Sequence, residues 1–195
     1  MHAMQEEAGA PLTPTDSSPS APAPVRTGGR RRLYSVLLGL AAAVLVLDQG
    51  TKVWALAALT PGSPVPVVGS AIQLNLIRNP GAAFSIGNGS TWLLTAVSLG
   101  ILAWVVVSAR KVGNLPWAVA LGLLLGGAVG NLIDRVLRAP GPGRGHVVDF
   151  IDYFGLFIGN VADIAIVVGA GLIMVLSFRG TSLSAPLHHP EHADA

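Results

Sequence analysis

Cysteine is absent from the 195 residues of the chain, which excludes a disulfide framework, a thiol nucleophile and a thiolate metal site. Histidine is too scattered to replace it: His188, His189 and His192 fall in a polar tail, His2 is terminal and His146 stands alone. No metal site is therefore expected. Charge is also scarce, at 11% of residues against 51% hydrophobic, a balance that a water-soluble globule does not have. The net charge of +2 comes from twelve Lys and Arg spread along the chain, which gives no basic face for nucleic acid. What remains is a polytopic membrane protein.

Residues 1 to 32 are rich in Ala, Pro, Ser, Thr and Gly and end in "RTGGRRR", the composition of a disordered tail. An apolar stretch follows from 33 to 59. It continues past Asp48 and Lys52, which argues for a retained, tilted first span over a cleaved signal. Short β-prone pieces, "VPVV" and "IQLNLI", punctuated by Pro and Gly, occupy residues 60 to 90 and read as a small extramembrane sheet or loop. Further spans are expected over about 91–109, 115–137 and 160–178, the last two joined by a polar loop that contains "RAPGPGRGH", Asp149 and Asp152, with 33–178 as one membrane domain and 179–195 as a polar tail.

The basic residues set the orientation. Arg26, Arg30, Arg31, Arg32, Arg110, Lys111 and Arg179 fall on one side of the bilayer, and Lys52, Arg78, Arg135, Arg138 and Arg144 on the other. The richer side should be cytoplasmic, which puts both termini there. Asp48, Asp134, Asp149, Asp152 and Asp163 then all belong to the outer half, with Asn79 beside them.

Each polar motif has a bland explanation when taken alone. Asp48 and Lys52 are one helical turn apart and can pair. "RNPGAAF", residues 78–84, is a turn, and Gly122, Gly126 and Gly130 repeat at the spacing of close helix packing. Packing does not explain the polar finish of that helix, Asn131, Asp134 and Arg135, which share one stripe. Nor does it explain Asp163 in "GNVADIAIVVGAGLIMVL", since an ionised carboxyl within a span costs about 2.5 to 3.5 kcal/mol on insertion scales and marks a functional site. A proton-coupled transporter would distribute such acids across the bilayer, yet the inner halves of the last three spans carry no charge. A purely structural subunit would leave Asp163 unexplained.

Taken in order, the motifs resemble those of the bacterial lipoprotein signal peptidases, or signal peptidase II. The match runs through Asp48 and Lys52, then Asn79, Gly81, Ala83 and Phe84, then Gly126, Gly127, Gly130, Asn131, Asp134 and Arg135, then Asp149 with Phe150, and finally Asn160, Ala162 and Asp163, within roughly residues 35 to 178. The resemblance implies an all-α integral membrane protein of four spans with a small extracytoplasmic β-cradle. It implies an aspartic endopeptidase with Asp149 and Asp163 as its catalytic pair, cutting prolipoproteins just before a diacylglyceryl-modified cysteine at the outer surface of the bacterial cell membrane. Asn131, Asn160 and Arg135 would position the site, and Asp48, Lys52 and Asp134 would hold helix ends. The expected partners are diacylglyceryl-modified prolipoproteins and membrane lipids, with the chain acting as a monomer and using no cofactor. Gly159 and Ile164 depart from the family pattern, where an aromatic and a small polar residue are expected.

Overall fold

The computed structural model describes residues 27–81 and 91–184 of the chain. Ala83 and Phe84 lie outside them, as do residues 1–26 of the expected tail and the last eleven residues. Among the described residues, four helices are long and apolar enough to cross a membrane: α1 (Thr27–Ala58), α2 (Thr91–Ala109), α3 (Leu115–Leu137) and α4 (Val161–Phe178). The helix α1 begins before the apolar run, so Arg30, Arg31 and Arg32 are helical and not part of an unstructured tail. Arginine is a good helix former, and a helix already nucleated by the apolar run extends through it at little cost.

The central helix is α3, which packs on each of the other three. Its glycines explain the close approach. A Cβ at Gly126 would stand 2.7 Å from the carbonyl oxygen of Ala41 on α1, and one at Gly127 would stand 2.6 Å from that of Ala162 on α4. Two adjacent glycines thus open two faces of one helix to two neighbours. Asn114 caps the start of α3 by accepting the Trp117 N–H at 3.2 Å. Around this end Leu37, Val105, Trp117, Leu121 and Leu176 form an apolar core. The segment after α4 folds back over the same end: Gly113 N–H donates to the Leu183 carbonyl at 2.8 Å, Asn114 Nδ2 to the Ser182 carbonyl at 2.7 Å and Trp117 Nε1 to the Thr181 carbonyl at 2.9 Å.

A four-stranded antiparallel sheet lies at the opposite end of the bundle, in the order β1 (Val65–Val68), β2 (Ile72–Asn79), β3 (Val147–Tyr153), β4 (Phe157–Gly159). The first two strands occupy the β-prone pieces of the sequence. The other two fall where the sequence reading had only a loop. Side chains alternate along a strand, and β3 uses that alternation to separate two jobs. Val148 and Phe150 join Ala55 and Leu76 in a second apolar core against the end of α1, with Trp54 edge-on to Phe150 at 6.2 Å between centroids. Asp149 lies between them in sequence and so faces the other way, while Asp152 falls on the Val148 side.

Candidate active site

Two polar networks meet at the sheet end of α3. The first is built around Lys52, which is fully buried on α1. Its three ammonium donors are all used: Asp48 Oδ2 at 2.9 Å, Asp134 Oδ2 at 3.0 Å and Asn131 Oδ1 at 3.0 Å. Asp134 also takes Arg138 Nε at 2.6 Å and the Val148 N–H at 3.1 Å, which ties the end of α3 to β3. Asp48 Oδ1 accepts the Ala162 N–H of α4 at 3.0 Å. Room for the Asp48 carboxylate comes from Gly130, where a Cβ would stand 2.6 Å from Oδ2. Two acids and two bases thus neutralise one another, and each buried charge of this network has a partner, as burial requires.

The second network holds Asp149 and Asp163 with neutral donors. Asp149 is 2% exposed; its Oδ1 accepts Asn160 Nδ2 at 2.6 Å and its Oδ2 accepts Asn79 Nδ2 at 2.8 Å. The sheet register sets up this contact. Asp149 pairs with Ile77 on β2, so Asn79 is its diagonal neighbour, within reach across the strands. The Asn79 amide is itself oriented, because its Oδ1 accepts the Gly81 N–H at 2.9 Å. Asp163 stands in the first turn of α4, where Asn160 and Asp163 form a reciprocal cap: Asn160 Oδ1 accepts the Asp163 N–H at 3.0 Å and Asp163 Oδ2 accepts the Asn160 N–H at 3.1 Å. The remaining oxygen, Oδ1, accepts Asn131 Nδ2 at 2.8 Å.

Asn131 joins the two networks. Its Oδ1 accepts from Lys52 and, at 3.2 Å, from Asn160 Nδ2, which leaves its amide N–H to point at Asp163. The buried ammonium thereby fixes which way this amide faces. Burial and the negative charge of Asp163 push the Asp149 carboxyl up to about 7, against the opposing hydrogen bonds from Asn79 and Asn160 and the more distant charge of Lys52.

Both carboxyls line one cavity of about 230 Å³, together with Asn79, Asn131, Arg135 and Phe157. Arg135 is 7% exposed, and its Nε and Nη1 have no hydrogen-bond partner among the described residues. Buried donors of this kind call for an explanation, and Arg135 is one of the residues around the cavity that the two carboxyls line.

Every candidate from the sequence that falls within the described residues lies in or against this cluster. Asp48, Lys52 and Asp134 form the ion-pair network, Asn79, Asn131 and Asn160 hold the carboxylates, Gly81 orients Asn79, and Gly127 and Ala162 form the α3–α4 contact. Three residues were missed. Gln49 Nε2 donates to Asp48 Oδ2 at 3.0 Å and to the Gly130 carbonyl at 3.1 Å; a polar amide inside an apolar run was the available signal. Arg138 was counted only as an orienting charge, although its spacing of four from Asp134 suits a helical pair. Phe157 escaped because the β4 hairpin was read as loop.

The fold and site define a multi-pass membrane protein with a buried carboxyl pair facing a cavity at one end of its helix bundle. Residues 40–179 match the family described as Signal peptidase (SPase) II. The chain is 46% identical to the lipoprotein signal peptidase of Mycolicibacterium smegmatis over 178 residues, 91% of this chain and 74% of that one. To the lipoprotein signal peptidase of Mycobacterium avium it is 48% identical over 170 residues, covering 87% of this chain and 90% of the relative. A solved bacterial membrane enzyme, determined by the in meso method at 2.3 Å resolution, superposes with a TM-score of 0.68 at 31% identity, covering 80% of this chain and 94% of that one. The chain belongs to the signal peptidase II family and is an aspartic peptidase of lipoprotein processing.

Proposed function

We propose that the protein hydrolyses the peptide bond immediately before a diacylglyceryl-modified cysteine in prolipoproteins, with Asp149 and Asp163 activating the water between them. The observation that carries this reading is that both carboxyls face one cavity and are held there by asparagine amides, with no ion pair to either among the described residues. Two like charges so placed share a proton. Asp149, whose carboxyl is raised to about 7, holds it and donates a hydrogen bond to the scissile carbonyl oxygen. Asp163 takes a proton from the water as its oxygen bonds to the carbonyl carbon. The tetrahedral intermediate then collapses with breakage of the C–N bond, and the proton on Asp163 passes to the departing amine. Arg135, which lines the same cavity, helps to position the substrate.

The spans, the apolar flank of the cavity and the charge bias fit a site at the outer surface of the cell membrane with both termini inside. That is the level at which a lipid-bearing cysteine stands. The test is incubation of the purified protein with one prolipoprotein peptide, with and without its diacylglyceryl group. Cleavage just before the modified cysteine, confined to the lipidated peptide, is the expected result. Equal cleavage of both peptides, or cleavage elsewhere, would overturn the substrate assignment.

A further inference from the structure

A second cavity, of about 330 Å³, lies at the sheet end of the bundle beside α2 and is lined by Pro80, Thr91, Trp92, Pro140, Arg144 and His146. None of these residues lines the catalytic cavity, so the two spaces are separate. Its walls are tied in place. Thr91 Oγ1 donates to the Pro80 carbonyl at 2.7 Å, which joins the start of α2 to the end of β2, and Thr95 Oγ1 donates to the Gly143 carbonyl at 2.8 Å, which joins α2 to the loop before β3. That loop closes on itself and on α3 through three more bonds: Arg144 N–H to the Gly141 carbonyl at 3.0 Å, Gly145 N–H to the Arg135 carbonyl at 2.9 Å and His146 N–H to the Ala139 carbonyl at 3.0 Å. The backbone is occupied in holding the loop, but the side chains are not. Arg138, at the base of the loop, is paired with Asp134, whereas the Arg144 guanidinium, the His146 imidazole and the Trp92 indole have no hydrogen-bond or ion-pair partner among the described residues. A cation and two ring nitrogens with N–H to offer thus line a space whose described walls hold no acid.

We propose that this cavity binds the phosphate of an anionic phospholipid headgroup. The guanidinium fork of Arg144 matches a pair of phosphate oxygens, and His146 and Trp92 add neutral donors beside it. The lipid is favoured over a dissolved phosphate by what lies along the helix from the cavity. Trp92 is 59% exposed and Leu99, two turns deeper in α2, is 50% exposed; residues seven apart share a helix face, and α2 is long and apolar enough to span a membrane. A headgroup held at Arg144 therefore lays its acyl chains along an apolar face that this fold leaves uncovered, with the Trp92 indole at the boundary between chain and headgroup, the level that tryptophan favours in a bilayer. Basic pockets between spanning helices are a recurrent way of recognising such headgroups.

The test titrates the purified full chain, in a neutral detergent, with a short-chain phosphatidylglycerol and follows tryptophan fluorescence. A saturable change is expected, weaker with short-chain phosphatidylcholine, which has the phosphate but no net charge. Arg144→Gln should raise the Kd for phosphatidylglycerol about tenfold, the scale of one lost charge-assisted hydrogen bond. Arg144→Lys keeps the charge without the fork and should raise it less. Lys111→Gln removes a cation from the opposite end of the bundle and should leave the Kd as it is, while Trp92→Phe should remove most of the fluorescence change. Arg144 is exposed, so its variants should keep the wild-type thermal transition; if Arg144→Gln does not, His146→Ala reads the same loss of binding from the other side of the cavity. No saturable change, an equal response to phosphatidylcholine, or a wild-type Kd in the folded Arg144 and His146 variants would overturn the site. An equal loss in Lys111→Gln would show that only total charge attracts the lipid, and displacement by inorganic phosphate at the concentration of the lipid would replace the headgroup with a dissolved anion.

Discussion

The two polar networks are neighbours, share Asn131 and contain the same kind of acid, yet they treat it in opposite ways. Asp48 and Asp134 have cations within 3.0 Å and are balanced by Lys52 and Arg138. Among the described residues, Asp149 and Asp163 have only amide and backbone donors. An amide stabilises a carboxylate and fixes its direction, but it leaves the repulsion between two carboxylates in place. In the first network the electrostatic problem is solved, and the result is a joint between α1, α3, α4 and the sheet. In the second it is left unsolved, and in the proposed mechanism the tension is relieved by holding a proton. Lys52 is kept one residue away from Asp163, with Asn131 between.

The comparison breaks most severely in the reactive pair itself. Asp149→Asn and Asp163→Asn should each lower cleavage of a lipidated peptide by at least about 10³-fold, with the double variant no worse than either single one, since residues acting as a unit are non-additive. Cleavage within about tenfold of wild type in either single variant would refute the dyad.

Lys52→Met is expected to show the opposite profile. Removing the shared cation strands Asp48 and Asp134 in a buried site, at a cost of about 3 to 5 kcal/mol, read as a lowered thermal transition in detergent. It also frees the Asn131 amide to turn, so any folded fraction should cleave slowly. By contrast, Asp149→Asn should leave the transition at neutral pH unchanged or raised. Equal transitions for wild type and Lys52→Met would show that the first network is not a joint.

The two networks should also separate by pH. Because Asp149 keeps its proton up to about 7 in the folded protein while an unfolded aspartate has lost it near 4, the folded state binds the extra proton across that window. Stability should therefore fall as pH rises from about 4 to 7 and level off above, and Asp149→Asn should flatten the slope. Activity should decline above about pH 7 as the pair loses its shared proton. A rate that keeps rising to pH 9 would contradict the proton assignment.

The smallest effect is expected at Asp152, the other acid of β3. It accepts from Asn75 Nδ2 at 3.2 Å and from the Gly155 N–H at 2.9 Å, and it faces away from the cavity. Asp152→Asn keeps an acceptor for Gly155 and loses one neutral contact, so stability should drop by about 1 kcal/mol, with cleavage near the wild-type rate. Inactivity of this variant in folded form would mean that the wrong acid of the strand had been assigned.

The parts of this arrangement that could be read from the sequence are those with a physical period or a prohibitive cost. The spans follow from uninterrupted apolar runs, the α3 contacts from glycines spaced four apart, and Asp163 from the expense of an acid in such a place. The grouping of Asp149 with Asp163 came from the family resemblance, because nothing in "HVVDF" alone sets that acid apart from Asp152; only strand alternation does, and β3 was read as loop. A strand of seven residues followed by one of three leaves too short a pattern beside a Gly and Pro-rich stretch. Lys52 was legible as a partner of Asp48, but its third bond, to Asn131, joins residues 79 positions apart and has no local signature.

Asp149, Asn160 and Asp163 lie within fifteen consecutive residues that run from β3 through β4 into the first turn of α4, and Asn160 bonds to both acids. The spacing of the two carboxyls is consequently set largely within one short segment, with Asn79 and Asn131 steadying it from β2 and α3. Bilayers of different thickness make spanning helices tilt, and a site assembled from side chains on several separate spans would be pulled out of register by such tilting. Here the two acids travel together with the end of α4, so a change of lipid acyl length alters how a membrane-embedded substrate reaches the pair and leaves the spacing within the pair unchanged.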